Sequence, residues 1–211
     1  RPKHKDRKWC LGCIDRYRRQ EQMSSVVADN IILKLVEPLY ADARIEDIEP
    51  ILRDKILARQ ADQDLYLFGL PGVGKTHIMA ALIRLYINQG YECKRICFDD
   101  FCCQLRSTMS PASKLTEWDM TKPFREVDML FIDDLGLRTK QETDFAYVTL
   151  YSIINKRQER LLPTFISSNK GLDRLGQSFD FRIVSRLTTA LTIEIVGKDW
   201  RQKIAKKAGW K

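Results

Sequence analysis

No apolar run in this sequence is long enough to cross a membrane. A spanning helix needs about 20 consecutive, mostly apolar residues, whereas charged residues make up 30% of these 211 positions and break up every apolar stretch. The first residues are basic and polar, unlike a secretory signal peptide. Internal repeats and low-complexity segments are also absent. With 44% hydrophobic residues, the chain is expected to form a soluble globular protein of one domain, without a membrane partner.

The cysteines do not form the pattern of a disulfide framework. Four of the six, Cys93, Cys97, Cys102 and Cys103, lie in segments that read as the core of an α/β domain. A buried, reduced thiol behaves there as a small hydrophobic group, and this usage is typical of the cytosol. A cytoplasmic location is therefore expected.

The other two cysteines form the motif Cys10-Leu11-Gly12-Cys13, which is half of a common zinc knuckle. A tetrahedral Zn²⁺ site needs two more ligands, and only His4 is nearby in the sequence. Free surface thiols and a redox pair are the alternatives. Cys10 and Cys13 are thus candidate ligands of Zn²⁺, and the choice between these readings stays open.

The segment Gly69-Leu70-Pro71-Gly72-Val73-Gly74-Lys75-Thr76 carries the strongest functional signal of the chain. It fits G-x-x-x-x-G-K-[ST], the P-loop that wraps the phosphates of a nucleotide. Glycines let the backbone turn tightly and point successive N–H groups at anionic oxygens, and the following helix presents its positive end to them. Lys75 is expected to reach the β- and γ-phosphates of ATP, and the Thr76 hydroxyl to hold Mg²⁺.

The sequence around this loop supports the assignment. Residues 64–68 read as a buried strand, and residues 77–88 carry apolar side chains at helical spacing. Strand, glycine loop and helix is the order that a P-loop requires; an ordinary turn between two core elements is the alternative. The predicted nucleotide-binding residues are Gly69, Pro71, Gly72, Val73, Gly74, Lys75, Thr76 and His77.

A second apolar strand runs into two carboxylates, in Asp128-Met129-Leu130-Phe131-Ile132-Asp133-Asp134. A buried strand that ends in acid fits the second phosphate-binding element of P-loop ATPases. Asp133 is expected to hold Mg²⁺ through water, and Asp134 to orient and deprotonate the attacking water. The alternative is a strand that ends in a solvated Asp-Asp turn.

A third polar cluster ends the segment Pro163-Thr164-Phe165-Ile166-Ser167-Ser168-Asn169. The carboxyl edge of an open parallel sheet is where ligands bind. Asn169, or in second place Ser168, is a candidate to touch the γ-phosphate or the attacking water. A helix-capping role is the alternative.

Strands alternate with helices along the chain. Further strands are predicted at residues 93–98, 129–132, 162–167 and 191–196, and helices at 45–58, 99–106, 142–157 and 179–187, with a polar stretch at 107–122. This alternation predicts an α/β fold with a parallel sheet covered on both faces. We divide the chain into a basic segment at 1–23, a linker and helix at 24–63, and a core at 64–211.

Five segments follow one another along the core: residues 69–77, Phe131-Ile132-Asp133-Asp134-Leu135-Gly136, Ser167-Ser168-Asn169, Arg182-Ile183-Val184-Ser185-Arg186-Leu187 and Gly197-Lys198-Asp199-Trp200-Arg201. Together they resemble the AAA+ ATPases of the DnaC/DnaI helicase-loader and IstB transposition-helper group, over about residues 36–205. The resemblance implies a P-loop AAA+ core with a five-stranded parallel sheet, helices on both faces and a short or absent lid.

The resemblance also implies roles for single residues. Arg186 corresponds to an arginine finger that reaches the γ-phosphate of a neighbouring subunit, so self-association through Arg186 is expected, and Arg182 is placed to share that work. Arg201 corresponds to the second-sensor arginine, which binds phosphate in its own subunit. Many AAA+ proteins carry Glu where this chain has Asp134, so ATP hydrolysis is expected to be slow and dependent on assembly.

Basic residues cluster at both ends of the chain, at residues 1–19 and 198–211, and these ends account for the entire positive excess behind the net charge of +8. Basic clusters favour a polyanionic partner, with nucleic acid the first candidate. We single out the region after Asp134, with Arg138, Lys140 and Phe145, as the candidate DNA surface. The alternatives are that these residues only solvate and pack the next helix, or that the basic termini bind DNA.

Three functions follow from these observations. The first is a replication helicase loader, which binds ATP, single-stranded DNA and a replicative helicase. The second is a transposition helper, which assembles on duplex DNA and recruits a transposase. The third is a nucleotide-binding regulator or adaptor without a DNA role. Cys10 and Cys13 favour the loader, because DnaI-like loaders use a small zinc-binding N-terminal region to contact the helicase.

Overall fold

One parallel sheet of five strands organises the protein. The computed structural model describes residues 25–136, 144–178 and 181–201. The strands are β1 (Leu65–Phe68), β2 (Cys93–Cys97), β3 (Met129–Leu135), β4 (Thr164–Ser168) and β5 (Leu191–Glu194). They lie in the order β2-β3-β4-β1-β5, and each neighbouring pair is parallel. This architecture confirms the predicted five-stranded parallel sheet.

Helices connect these strands and precede the first of them. They are α1 (Ser25–Leu35), α2 (Pro50–Leu57), α3 (Lys75–Asn88), α4 (Phe98–Thr108), α5 (Glu117–Glu126), α6 (Asp144–Glu159), α7 (Leu172–Ser178) and α8 (Phe181–Leu187). Two short 3₁₀ turns, Pro38–Tyr40 and Ile45–Asp47, lie between α1 and α2. In the part of the chain that the structure describes, no helix has the length and apolarity needed to cross a bilayer.

The sheet separates two hydrophobic cores, because alternate side chains of a strand point to opposite faces. Leu65 and Leu67 of β1 lie in the core that α1, α2 and α3 cover. Tyr66, between them, lies in the core that α4 to α8 cover. Helices therefore pack on both faces of the sheet, as predicted.

One helix lies where the sequence pattern indicated only a polar stretch. Helix α5 begins after Thr116, whose hydroxyl accepts a hydrogen bond from the Asp119 N–H at 3.1 Å. Met120 and Phe124, one turn apart, are its buried apolar contacts. Because so few of its residues are apolar and Pro123 lies inside it, periodicity alone did not reveal this helix.

The helix before the core starts later than its apolar spacing predicted. Helix α2 begins at Pro50, and the Glu49 side chain accepts hydrogen bonds from the N–H groups of Ile51 and Leu52 at 3.1 and 2.8 Å. A capping carboxylate followed by proline is a strong signal for the start of a helix, and it determines where α2 begins.

Arg157 joins α5, α6, β3 and β4 from a fully buried position. Its guanidinium donates hydrogen bonds to the Thr164 hydroxyl and to the backbone carbonyls of residues 124, 127, 128 and 163, at 2.6–3.1 Å. Burial lowers the pKa of Arg157 to about 10, so the side chain stays charged at neutral pH. A buried cation needs this complete set of acceptors.

We therefore expect Arg157→Met to destabilise the protein. The substitution keeps most of the volume but leaves several buried carbonyls without a donor, and each such group costs roughly 1–3 kcal/mol. The free energy of unfolding, measured by urea denaturation, should fall by about 3 kcal/mol. Arg160→Met removes an exposed arginine just beyond the same helix and is the matched control. Equal stability of the two variants would contradict a structural role for Arg157.

Candidate nucleotide-binding site

The ends of β1, β3 and β4 meet at one edge of the sheet, because all strands run in the same direction. Strand β4 lies between β3 and β1. Asn169, directly after β4, therefore lies between the glycine loop that follows β1 and the acid pair that ends β3. The structure thus brings together the three polar clusters that the sequence placed far apart, as expected at this edge of a parallel sheet.

Glycine conformations shape the loop between β1 and α3. Gly72 and Gly74 have φ angles of 81° and 102°, in the left-handed region that other residues rarely adopt. A Cβ atom on Gly72 would lie 2.0 Å from Asp199 Oδ1, whereas one on Gly74 would meet nothing within 4 Å. Because the first N–H groups of a helix have no partner inside it, the open space beside Gly74 fits an anionic phosphate.

Lys75 is the buried cation of this site, with 5% of its surface exposed. Its Nζ donates hydrogen bonds to the carbonyls of Gly69 and Leu70, at 2.9 and 3.0 Å, and to Asn169 Oδ1 at 2.7 Å. Burial lowers the pKa of Lys75, while the nearby charges of Asp134 and Asp133 raise it. All three partners are neutral, so phosphate oxygens are stronger acceptors that can replace them.

Asp133 is almost fully buried and is held from both neighbouring strands. The Ser167 hydroxyl on β4 donates to Asp133 Oδ1, and Arg95 on β2 donates to Asp133 Oδ2 at 2.8 Å. Arg95 also donates to Glu37 Oε1 at 2.8 Å. Neither Arg95 nor Ser167 was given a role from the sequence: the arginine belongs to no recognised motif, and Ser167 stood only as a member of the segment Ser167-Ser168-Asn169. The sequence offered one hint of the role of Arg95, namely an arginine next to the apolar Ile96 in a segment predicted to be a core strand.

Asp134 adopts an unusual backbone conformation for a residue with a side chain. Its φ angle is 55°, and the pairing of β3 with β4 shifts register between Ile132 and Leu135. Its N–H donates a hydrogen bond to Ser167 Oγ at 3.0 Å. Burial, and then the charge of Asp133, raise the pKa of the Asp134 carboxyl, against the opposing charges of Lys75 and Arg201.

The segment after β5 packs against the glycine loop. The N–H of Trp200 donates to the Gly72 carbonyl at 2.9 Å, and the N–H of Arg201 donates to Asp199 Oδ1 at 2.8 Å. The positive charge of Arg201 acts on Lys75 and Asp134. Arg201 thus lies near the site residues with an exposed side chain, as its resemblance to a second-sensor arginine implies.

Arg186 lies away from this site. It is exposed near the end of α8, and its carbonyl accepts a hydrogen bond from Gln158 Nε2 at 3.0 Å. The same amide donates to Asp64, at the start of β1. Arg186 is therefore near the opposite edge of the sheet from the glycine loop.

The remaining candidate residues that the structure describes differ in how far they are exposed. Val73 is buried, Thr76 is half-buried in the first turn of α3, and Pro71 is exposed. His77 Nε2 lies 3.9 Å from an Asp47 carboxylate oxygen. Phe145, on α6, is 40% exposed.

Four candidates lie outside the described residues: Cys10, Cys13, Arg138 and Lys140. Zinc binding and the basic part of the DNA surface therefore stay predictions. Residues 25–136, 144–178 and 181–201 contain no group of three His, Cys, Asp or Glu residues that could hold a metal. The carboxylate of Asp133 and the hydroxyl of Thr76 are oxygen ligands of the kind that Mg²⁺ takes together with nucleotide phosphates.

The sheet order, the glycine loop with its buried lysine and the acid pair define a P-loop ATPase domain of the AAA+ class. Comparison with known proteins identifies the family. The model of the bacterial DnaA ATPase domain matches residues 54–194, which is more than half of the chain. The chain belongs to this family.

Several known proteins are similar to this chain. The chromosomal replication initiator protein DnaA of Limosilactobacillus reuteri is 27% identical over 144 residues, 67% of this chain and 31% of that protein. The replicative helicase loader DnaC of Buchnera aphidicola is 26% identical over 119 residues, 56% of this chain and 48% of that protein. A solved replication initiator DnaA, bound to AMPPCP and single-stranded DNA, has a TM-score of 0.66 at 18% identity, covering 83% of this chain and 57% of that chain.

These comparisons confirm the resemblance to AAA+ helicase loaders of the DnaC/DnaI type. The chain spans less than half of the length of the curated relatives it matches. The chain is therefore a nucleotide-binding AAA+ ATPase domain related to proteins of DNA replication.

We expect Lys75→Ala to weaken ATP binding by about 10- to 100-fold, because hydrogen bonds to a charged group contribute about 1.5–3 kcal/mol each. The affinity is measured by equilibrium titration with a fluorescent ATP analogue. Thermal unfolding should show that the fold survives. Lys55→Ala, which removes an exposed lysine on α2, is the control. Equal ATP affinity of the Lys75 variant and the wild type would contradict the P-loop assignment.

Proposed function

We propose that this protein is an ATP-dependent helicase loader of DNA replication, acting in the cytoplasm. It binds ATP with Mg²⁺, single-stranded DNA and a replicative helicase. The observation that carries the proposal is the convergence of Lys75, Asp133, Asp134 and Asn169 at one sheet edge, in a chain similar to a helicase loader. The transposition helper and the adaptor are the alternatives that the experiment below distinguishes.

In this proposal each site residue has a distinct role. Lys75 exchanges its carbonyl and Asn169 partners for the β- and γ-phosphates, which frees the Asn169 side chain to contact the γ-phosphate or the attacking water. The Asp133 carboxylate, through water, and the Thr76 hydroxyl would hold Mg²⁺, which would neutralise phosphate charge. Asp134 orients the attacking water and accepts its proton; the raised pKa of its carboxyl makes it a better base than an ordinary aspartate. Arg201 contacts phosphate in its own subunit.

The N-terminal region supplies the second part of the proposal. Cys10 and Cys13 are proposed as half of a Zn²⁺ site that helps to contact the helicase, by analogy with DnaI-like loaders. Both cysteines precede α1 in the sequence, and the proposal assigns the helicase contact to this N-terminal segment rather than to the ATPase core. Nucleotide binding and helicase binding would then use separate parts of the chain.

Arg186 is proposed to act between subunits. It is exposed and lies at the opposite edge of the sheet from the phosphate site of its own chain. A head-to-tail assembly would let it approach the γ-phosphate of a neighbour, where a positive charge stabilises the transition state of phosphoryl transfer. Hydrolysis then requires self-association.

Arg186→Ala should bind ATP like the wild type but lose the assembly-dependent part of hydrolysis. Mixing it with Lys75→Ala should restore some activity. At an interface between the two variants, the intact P-loop of one subunit can meet the intact Arg186 of its neighbour. ATP turnover is measured over a range of protein concentrations. Arg174→Ala, an exposed arginine on α7, is the control. A wild-type rate per molecule that does not depend on concentration would contradict a role in trans.

The proposed DNA surface follows Asp134 in the sequence, with Arg138, Lys140 and Phe145. Lysine and arginine contacts to phosphates release condensed counterions, so affinity should fall steeply with salt. Single strands also offer bases that stack on aromatic rings, and Phe145 is exposed. ATP is expected to strengthen DNA binding, because this segment follows the proposed catalytic base, Asp134, directly in the sequence.

Arg138→Glu with Lys140→Glu should weaken single-stranded DNA binding by about 10-fold or more, since each lost phosphate contact removes part of the counterion release. Labelled single-stranded and duplex oligonucleotides are titrated with and without a slowly hydrolysed ATP analogue. Lys55→Glu with Lys156→Glu makes the same charge change at exposed positions elsewhere. Nucleotide affinity should be unchanged in both double variants.

The three functions give different results in this titration. Preference for single strands supports the loader, whereas preference for duplex DNA favours the transposition helper. No binding to either DNA in any nucleotide state contradicts both and favours the adaptor. Unchanged affinity in the Arg138 and Lys140 variant would place the DNA contact elsewhere, with the basic termini as the next candidates.

A further inference from the structure

Ser167 connects the two acids of the site although no motif assigns it a role. It lies on β4 and is fully buried. Its hydroxyl donates a hydrogen bond to Asp133 Oδ1 and accepts one from the Asp134 N–H at 3.0 Å. One hydroxyl therefore orients the carboxylate of the first acid and the backbone of the second.

The backbone of Asp134 depends on this contact. A left-handed conformation costs a residue with a side chain roughly 1–2 kcal/mol, and Asp134 adopts it with a φ of 55°. The register shift between β3 and β4 occurs at the same place, where irregularities in a strand re-aim a side chain. Without the Ser167 hydroxyl, the Asp134 N–H would lose the acceptor that holds it in this conformation.

The neighbouring Ser168 provides a comparison. It is also fully buried on β4, but its hydroxyl donates to the Leu135 carbonyl at 2.6 Å and accepts from the Lys170 N–H at 3.1 Å. Its partners are backbone groups beyond the acids. The two serines are therefore matched in residue type, strand and burial, and they differ in whether they contact Asp133 and Asp134.

We infer that Ser167 is a positioning residue for ATP hydrolysis, which fixes Asp133 for Mg²⁺ and aims Asp134 at the attacking water. The inference rests on the proposed ATPase function. Ser167 does not itself contact the reacting atoms, because its hydroxyl is engaged by the two acids. ATP binding depends mainly on Lys75 and the glycine loop, so Ser167 should affect turnover far more than nucleotide affinity.

The test compares Ser167→Ala with Thr121→Val in steady-state ATP hydrolysis. Thr121→Val removes another fully buried hydroxyl, on α5, which donates to the Glu117 carbonyl and touches neither acid. Ser167→Ala should lower kcat by about 10- to 100-fold, the loss expected when a catalytic group is misplaced by about 1 Å. Its ATP dissociation constant should stay within about threefold of the wild type, because Lys75 and the loop are intact. Thr121→Val should keep most of the turnover. Ser167→Thr, which retains the hydroxyl, should recover most of the lost rate.

A double variant shows through which residue Ser167 acts. Asp134→Asn should bind ATP without hydrolysing it at a normal rate, and adding Ser167→Ala to it should cause a much smaller loss than in the wild type, because the contribution that Ser167 makes through Asp134 is already gone. Thermal unfolding of all variants shows whether a rate change follows lost stability.

Three results would overturn the inference. They are equal turnover of Ser167→Ala and wild type, an equal loss in Ser167→Ala and Thr121→Val, and a loss that only parallels falling stability. A wild-type protein that binds ATP but never hydrolyses it would instead overturn the proposed ATPase activity, and this role of Ser167 with it.

Discussion

Pairing of buried charges at the carboxyl edge of the sheet determines the geometry of this site. Moving an ionised group out of water costs several kcal/mol unless close partners compensate. Lys75 meets this requirement with two loop carbonyls and Asn169, and Asp133 with Arg95 and Ser167. These partners come from β2, β4 and the loop after β1. The site is therefore complete only when β2, β3, β4 and β1 lie side by side in that order.

These contacts give the two neighbouring acids of the site, Asp133 and Asp134, different surroundings. Asp133 is held by a cation and a hydroxyl donor, which fix the position of its carboxylate. Asp134 is half-buried beside this negative charge, and the pKa of its carboxyl is raised as a result of burial and of Asp133. The two neighbouring aspartates thus have different surroundings, which fits the different roles proposed for them. The turned backbone of Asp134 also redirects a side chain that is shorter than the glutamate of many AAA+ proteins.

Features that depend on a short stretch of sequence were predicted well. The glycine loop, the strand that ends in Asp133 and Asp134, and the five parallel strands follow from local residue types and spacing. Arg95 and Ser167 were missed, because their importance depends on which strands are neighbours, and strand order is not written in any one segment. Helix α5 was missed because its two buried residues, Met120 and Phe124, stand among polar ones. Arg157 was not singled out from the sequence, since its acceptors come from two other stretches of the chain, 124–128 and 163–164.

The most direct test is a crystal structure of the protein with a non-hydrolysable ATP analogue and Mg²⁺. The account predicts the β- and γ-phosphates in the loop of residues 69–76, with Lys75 Nζ moved from its carbonyl partners to phosphate oxygens. It also predicts Mg²⁺ beside Thr76 and Asp133, and the Asn169 side chain turned toward the γ-phosphate. A nucleotide bound elsewhere, or Lys75 still paired with Gly69, Leu70 and Asn169 beside a bound nucleotide, would contradict it.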